Sequence, residues 1–285
     1  MHLKAMCPRP VATRYPTERD FKMPPNLIGV FDSGVGGLSV LRELRILLPA
    51  ESLIYVADSA HIPYGEKSRQ YIETRARVIA KFMLESGAKA LVVACNTATA
   101  SAVAALRGAF TVPIVGMEPG VKPAALLTQS GVIGVLATPG TLASQKFAAL
   151  LQRHAGKAQV VVQACPGLVE QIERGDIETQ HTRALVQRYV EPLLARGADT
   201  LVLGCTHYPF VAKLIREAAG PAVKLVETGA AVARELKRRL IAEKLVSAQP
   251  SMGSEEFWTS GDPHAVAAVI TSLWASPVNV RRMPE

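Results

Sequence analysis

Ser86–Thr97 reads SGAKALVVACNT, and Arg196–His207 reads RGADTLVLGCTH. Aligned without gaps, the two windows share Gly-Ala, Leu-Val and a cysteine at the same places, 110 residues apart. A weaker echo pairs IGVFDSG, from Ile28, with IGVLATPG, from Ile133. A period of this size is that of a domain, not of a solenoid. Two related α/β lobes are therefore expected, with ligands bound at the interface between them.

Working outward, short runs rich in Val, Ile and Leu recur at 28–31, 53–57, 90–94, 113–116, 132–137, 160–164, 200–204 and 223–227. They are almost continuously apolar, as strands buried on both faces of a parallel sheet are. Helical patterns lie between them, including 38–48, 69–86, 100–110, 142–154, 184–197 and 209–220. The alternation predicts an α/β fold with parallel sheets. A last segment, FWTSGDPHAVAAVITSLW, adds one more strand and helix.

Composition is that of a globular protein, 49% hydrophobic and 20% charged over 285 residues. No window approaches the length of a membrane span, and the first residues lack a signal-peptide apolar run. The four cysteines, Cys7, Cys95, Cys165 and Cys205, show neither metal-ligand spacing nor a disulfide framework, so a reducing cytoplasm is the expected compartment. The net charge of +8 is scattered, Lys237-Arg238-Arg239 being the densest cluster, and no aromatic interleaving accompanies it. Nucleic acid is not an expected partner; a small acidic substrate suits the charge.

Alone, Cys95 would read as a small core residue. The repeat changes that, because it places Cys95 and Cys205 at the same point of each lobe, just past a strand and just before a helix. The carboxyl edge of the strands is where such sheets bind ligands. A carbon held between two thiols can lose a proton to one and gain a proton from the other on the opposite face, which inverts the stereocentre. Thiols suit either role when neighbours lower their pKa toward neutrality. His207 could move the Cys205 proton, or merely cap a helix start. Asp32 could poise Cys95, or serve as an N-cap.

DSGVGG, Asp32–Gly37, is a Gly-rich turn able to present N–H groups to an anion. Its spacing fits neither a Walker loop nor G-x-G-x-x-G, so a carboxylate is at least as good a ligand as a nucleotide. Asn96, Thr97 and Thr206 sit where helices begin and could hold an amino acid's polar ends. Pro63-Tyr64-Gly65 reads as an ordinary turn. Glu170 and Glu173, one helical turn apart, read as surface carboxylates. Cys165 has no counterpart in the repeat and reads as structural, as does Cys7.

FDSGVGGLSV, PYGEKS, VVACNTA, GVLATPGT and LGCTHYP occur in the order seen in glutamate racemases, and the chain resembles that family from about Ile28 to about Leu240. The resemblance implies a cofactor-independent two-base racemase, two α/β lobes with the active site between them, and a place in peptidoglycan synthesis. It implies Cys95 and Cys205 as the acid/base pair, assisted by Asp32, His207 and Glu173, with Glu170 the lesser candidate. It further implies substrate contacts from Asp32, Ser33, Tyr64, Gly65, Asn96, Thr97, Thr206 and His207, and no metal. Residues 1–25 are then expected to be a flexible extension, 26–119 with 229–285 the first lobe and 120–228 the second, in a homodimer. Some longer members are activated by a peptidoglycan precursor, and Lys122 and Arg107 lie in the corresponding region. Glu227 stands where members usually carry Asp. Aspartate racemase, another two-cysteine racemase and a non-catalytic two-lobed amino-acid-binding protein are the competing readings.

Overall fold

The computed structural model describes residues 27–248 and 250–284. The expected extension 1–25 and Cys7 lie outside the described residues. From the start the elements run β1 (Leu27–Asp32), α1 (Leu38–Leu47), β2 (Ser52–Ala57), α2 (Arg69–Glu85), β3 (Ala88–Val93), α3 (Asn96–Ala109) and β4 (Ile114–Val115). Next come α4 (Val121–Leu127), β5 (Val132–Ala137), α5 (Pro139–Leu142), α6 (Gln145–His154), β6 (Gln159–Ala164), α7 (Leu168–Glu173), α8 (Gln180–Ala195), β7 (Thr200–Leu203), α9 (Ala212–Ala219) and β8 (Lys224–Val226). The chain then adds α10 (Gly229–Ala242), β9 (Glu255–Thr259), α11 (Pro263–Trp274) and β10 (Val280–Arg282).

Two sheets result. One has six strands in the order β10-β9-β2-β1-β3-β4, the other four in the order β6-β5-β7-β8, and every pairing is parallel. The duplication seen in the sequence is thus a duplication of topology: β2-β1-β3-β4 has the strand order of β6-β5-β7-β8. Register agrees as well. Ile28 stands opposite Ala90, and its counterpart Ile133 stands opposite Thr200. Even the packing detail repeats. A Cβ on Gly29 would lie 2.7 Å from Leu91 and from Met83 of α2; one on Gly134 would lie 2.6 Å from Leu201 and 2.8 Å from Leu193 of α8. Each lobe needs a glycine there so that a helix can approach its central strand.

Strand periodicity distributes the core. Leu53 and Tyr55 of β2 join one apolar cluster, while Ile54 and Val56 face another beneath α2 and α3. The first cluster continues into the four-stranded lobe through Leu168, Val186 and Tyr208, so the lobes share a core. In α2, capped by Ser68 accepting from the Tyr71 N–H, the buried residues Ile72, Ala76, Ile79, Ala80 and Met83 follow helical spacing.

Three local expectations change. The helix expected over 142–154 begins later, at Gln145, because the Ser144 hydroxyl caps α6 by accepting from the Phe147 N–H, and Leu142 instead ends the separate short α5. The strand at 160–164 is only partly covered, with Val162 exposed, because β6 is an edge strand. The last segment yields β9, α11 and also β10, and β9 pairs with β2 in the six-stranded sheet.

Candidate active site

Four parallel strands end at the same cleft. β1 ends in Asp32, β3 leads into Cys95, β5 into Thr138 and β7 into Cys205. Both thiols are buried and both line one cavity of about 50 Å3. That space holds only a few waters.

Cys95 is the N-cap of α3, and its sulfur accepts from the Ala98 N–H at 3.4 Å. Its thiol donates to Ser33 Oγ at 3.7 Å, and that hydroxyl in turn donates to Asp32 Oδ1. Asp32 is fully buried and does not cap α1; Oδ1 accepts from the Ser33 N–H (2.6 Å) and hydroxyl (3.1 Å), and Oδ2 from the Thr206 hydroxyl (3.1 Å). Burial raises the Asp32 pKa, against the opposing pull of His207. Burial, and then the Asp32 charge, push Cys95 well above the ordinary thiol range. The expectation of a thiol poised low is corrected for Cys95: with a carboxylate rather than a cation beside it, the resting group is the neutral thiol.

On the other side, Cys205 Sγ lies 3.5 Å from His207 Nδ1, and His207 Nε2 lies 2.6 Å from Glu173 Oε1. His207 makes no capping bond at the turn it precedes. Burial opposes a charge on the ring, but the hydrogen bonds and charges of Cys205 and Glu173 outweigh it and raise its pKa well above the usual histidine range.

Glu173 is not a surface carboxylate. Its side chain is 8% exposed, and Oε1 also accepts from the Val35 N–H at 2.7 Å. The Gly-rich turn does bind an anion, as its composition suggests, but that anion belongs to the protein. The glycines make this approach possible. A Cβ on Gly34 would sit 2.5 Å from Glu173 Cδ, and one on Gly36 would sit 2.6 Å from His207 Cε1. Glu170 borders the cavity without joining this set.

The remaining expected residues meet at the same place in different ways. Neither amide atom of the buried Asn96 has a hydrogen-bond partner among the described residues. An unpaired buried amide costs about 1–3 kcal/mol, so Asn96 fits a group that takes a ligand. The Thr97 hydroxyl bonds across the cleft to Thr138 Oγ1 (3.0 Å) and Thr141 Oγ1 (3.1 Å). Tyr64 and Gly65 form cavity wall, but the Tyr64 hydroxyl turns away and donates to Asp58 at 2.5 Å. The Thr206 carbonyl accepts from the Ser39 hydroxyl at 2.9 Å, another bond between lobes.

Thr138, Thr141 and Cys165 also line the cavity, although sequence reading did not nominate them. The second echo held a signal for Thr138, since it falls where Ser33 falls in the first copy. Cys165 is buried, and its pKa is pushed up to about 12 by that burial. Among the described residues no three His, Cys, Asp or Glu side chains group as metal ligands. A second cavity of about 610 Å3 lies between the lobes; Arg107, Lys122, Lys146 and Arg234 border it, with Glu227 on its rim rather than in the thiol cleft.

A model of the Asp/Glu/Hydantoin racemase family matches residues 28–236. A glutamate racemase of Methylococcus capsulatus is 58% identical over 257 residues, which is 90% of this chain and 95% of that one. Among solved structures, a glutamate racemase isoform from Bacillus anthracis superposes with TM-score 0.82 at 33% identity, covering 90% of this chain and 96% of the other. The Escherichia coli glutamate racemase in complex with L-glutamate and the activator UDP-MurNAc-Ala gives TM-score 0.81 at 34% identity, covering 91% and 98%.

Proposed function

Because the chain belongs to the Asp/Glu/Hydantoin racemase family and is an amino-acid racemase, we propose that it interconverts L- and D-glutamate with Cys95 and Cys205 as its two bases. The observation that carries this is the pair of thiols. They come from equivalent points of the two repeats, line one cavity, and each has its own proton partner: Asp32 for Cys95, His207 backed by Glu173 for Cys205.

The chemistry follows from that placement. One sulfur, as thiolate, takes the Cα proton. The electron pair left behind delocalises into the substrate carboxyl group. The other sulfur, as thiol, returns a proton to the opposite face. The sulfurs have then exchanged protonation states, and either the reverse reaction or exchange with solvent restores them. Asp32, its pKa raised by burial, can accept the Cys95 proton; His207, held protonated, can supply one to Cys205. The Asn96 amide and the first N–H groups of α3 suit a carboxylate. No step needs a cofactor.

Glutamate rather than aspartate is supported by curated relatives at 56–58% identity that bear the name glutamate racemase. The role we assign is supply of D-glutamate for peptidoglycan in the cytoplasm; no helix among the described residues is long and apolar enough to cross a membrane. The cavity that brings Arg107 and Lys122 together, lined by four Lys and Arg side chains against Glu118, Glu227 and Glu235, suits an anionic peptidoglycan precursor, the class of ligand called an activator in the E. coli structure. Equal rates with and without such a precursor would sink that part of the reading.

The test is incubation with L-glutamate in D2O without added cofactor. Loss of optical rotation with deuterium at Cα is the expected result. Exchange with aspartate but not glutamate would keep the mechanism and change the substrate. No exchange with either, by folded protein with and without precursor, would refute the reading.

A further inference from the structure

β1 delivers Asp32 to the cleft, and its neighbour β2 delivers a second carboxylate to the same edge of the sheet. Asp58 follows Ala57 directly, its N–H donates to the Asp32 carbonyl at 3.0 Å, and it is wholly buried. The proposed proton path does not use it. A carboxylate so placed needs partners, or its desolvation would be prohibitive.

Asp58 has them, and all lie behind the cleft. Arg75, from the middle of α2, holds it as a fork, Nη2 to Oδ1 at 2.7 Å and Nε to Oδ2 at 3.1 Å. The Tyr64 hydroxyl donates to Oδ2 at 2.5 Å. Burial and the Asp58 charge raise the Tyr64 pKa, so the phenol stays a donor. Neither Asp58 nor Arg75 touches the space where a substrate would lie. Tyr64 itself does, because its other side and Gly65 are cavity wall.

The Tyr64 ring is packed into the apolar cluster beneath α2 and α3, but its hydroxyl end is fixed by Asp58. Residues 59–67 form two single 3-10 turns around Pro63, with no strand ladder to fix them. The wall also meets the opposite lobe at close range: a Cβ on Gly140 would lie 2.7 Å from the Gly65 carbonyl oxygen. A small displacement of the turn therefore changes the depth of the cleft.

The geometry points to Asp58, clamped by Arg75, as the positioning residue that sets the depth of the substrate pocket through Tyr64. It determines how well the pocket distinguishes glutamate from an acidic amino acid one methylene shorter. This rests on the reading of the cleft as a glutamate site. One methylene is worth about 10- to 200-fold in a fitted pocket, and that margin is what a displaced wall gives up.

The experiment measures kcat and KM for glutamate and aspartate with the wild type, Asp58→Asn, Tyr64→Phe and Arg75→Lys, each checked for its unfolding midpoint. Asp58→Asn keeps the shape and removes the charge; Tyr64→Phe keeps the ring and removes only the hydroxyl. Both are expected to raise KM for glutamate, Asp58→Asn by about tenfold, with kcat within about threefold. Both are expected to narrow the glutamate-to-aspartate preference, and the double variant to be no worse than the poorer single one. Arg75→Lys, which keeps charge but loses the fork, falls between them and the wild type. A role confined to stability would lower the midpoint and leave KM and preference alone. If Asp58→Asn does not fold, Tyr64→Phe decides: wild-type KM and preference in that variant overturn the proposal. A wild type inactive on both amino acids overturns the reading of the cleft, and the positioning role with it.

Discussion

Replacing Gly34 by alanine tests the proton relay without substituting any group in it. The Gly34 backbone lies outside the left-handed region, so alanine fits the chain conformation. The added methyl meets only the far end of a side chain, 2.5 Å from Glu173 Cδ and 2.9 Å from Oε2. The fold survives and the carboxylate moves. It then loses the Val35 N–H and the His207 ring, held at 2.7 and 2.6 Å. A hydrogen bond to a charged group contributes about 1.5–3 kcal/mol. The bond to His207 alone, at 1.36 kcal/mol per decade, corresponds to a fall of about 10- to 150-fold in kcat. Glu173 is one of the groups that raise the His207 pKa, so its departure also moves the alkaline limb of the kcat/KM profile toward lower pH. The assay is circular-dichroism kinetics from pH 6 to 10 with Gly34→Ala, Glu173→Gln and the double variant. The double variant should be no slower than the slower single one, because both changes break the same contact. A folded Gly34→Ala enzyme with kcat within about threefold of the wild type and an unmoved alkaline limb would refute the relay.

Three further outcomes are expected. Cys95→Ser and Cys205→Ser should each lose at least about a hundredfold in turnover, in both directions, while calorimetry still detects glutamate binding; turnover surviving in either would exclude that sulfur as a base. In a Cys205→Ser background, iodoacetamide should modify Cys95 more slowly than free cysteine at pH 7 and faster as pH rises, because the raised pKa keeps the nucleophilic thiolate scarce; peptide mapping would expose a fast reaction at pH 7 as contrary evidence. Lys89→Met should destabilise the protein by about 3–5 kcal/mol in urea unfolding, since it leaves the Glu51 carboxylate, paired at 2.6 Å and 2% exposed, buried without its cation; an unchanged midpoint would show that the pair contributes nothing.

The fold was legible where local pattern and tertiary demand agree. The paired windows ending in Cys95 and Cys205 are the same strand–turn–helix edge used twice, and the four-strand orders match because the halves do. The reading failed where tertiary context decides. Nothing local shows that β6 would be an edge strand, or that Ser144 would restart a helix. The site divides the same way. Cys95, Cys205 and His207 sit at strand ends that periodicity can locate. By its local sequence Glu173 looked like one more surface carboxylate of a short helix, and only the family resemblance singled it out, because its partners Val35 and His207 are 138 and 34 residues away in the chain. Asp58 and Arg75 gave no sign, since an aspartate after a strand and an arginine in a helix are ordinary until the fold joins them. The Gly-rich turn was read as a cradle for a ligand's charge; the structure fills it from within.

That internal filling has an operational meaning. One carboxylate serves both lobes at once: the Val35 N–H reaches Glu173 from the first, and the His207 ring reaches it from the second. The charge that backs the ring is therefore also a rivet across the seam, and removing it loosens the joint and the relay in one stroke.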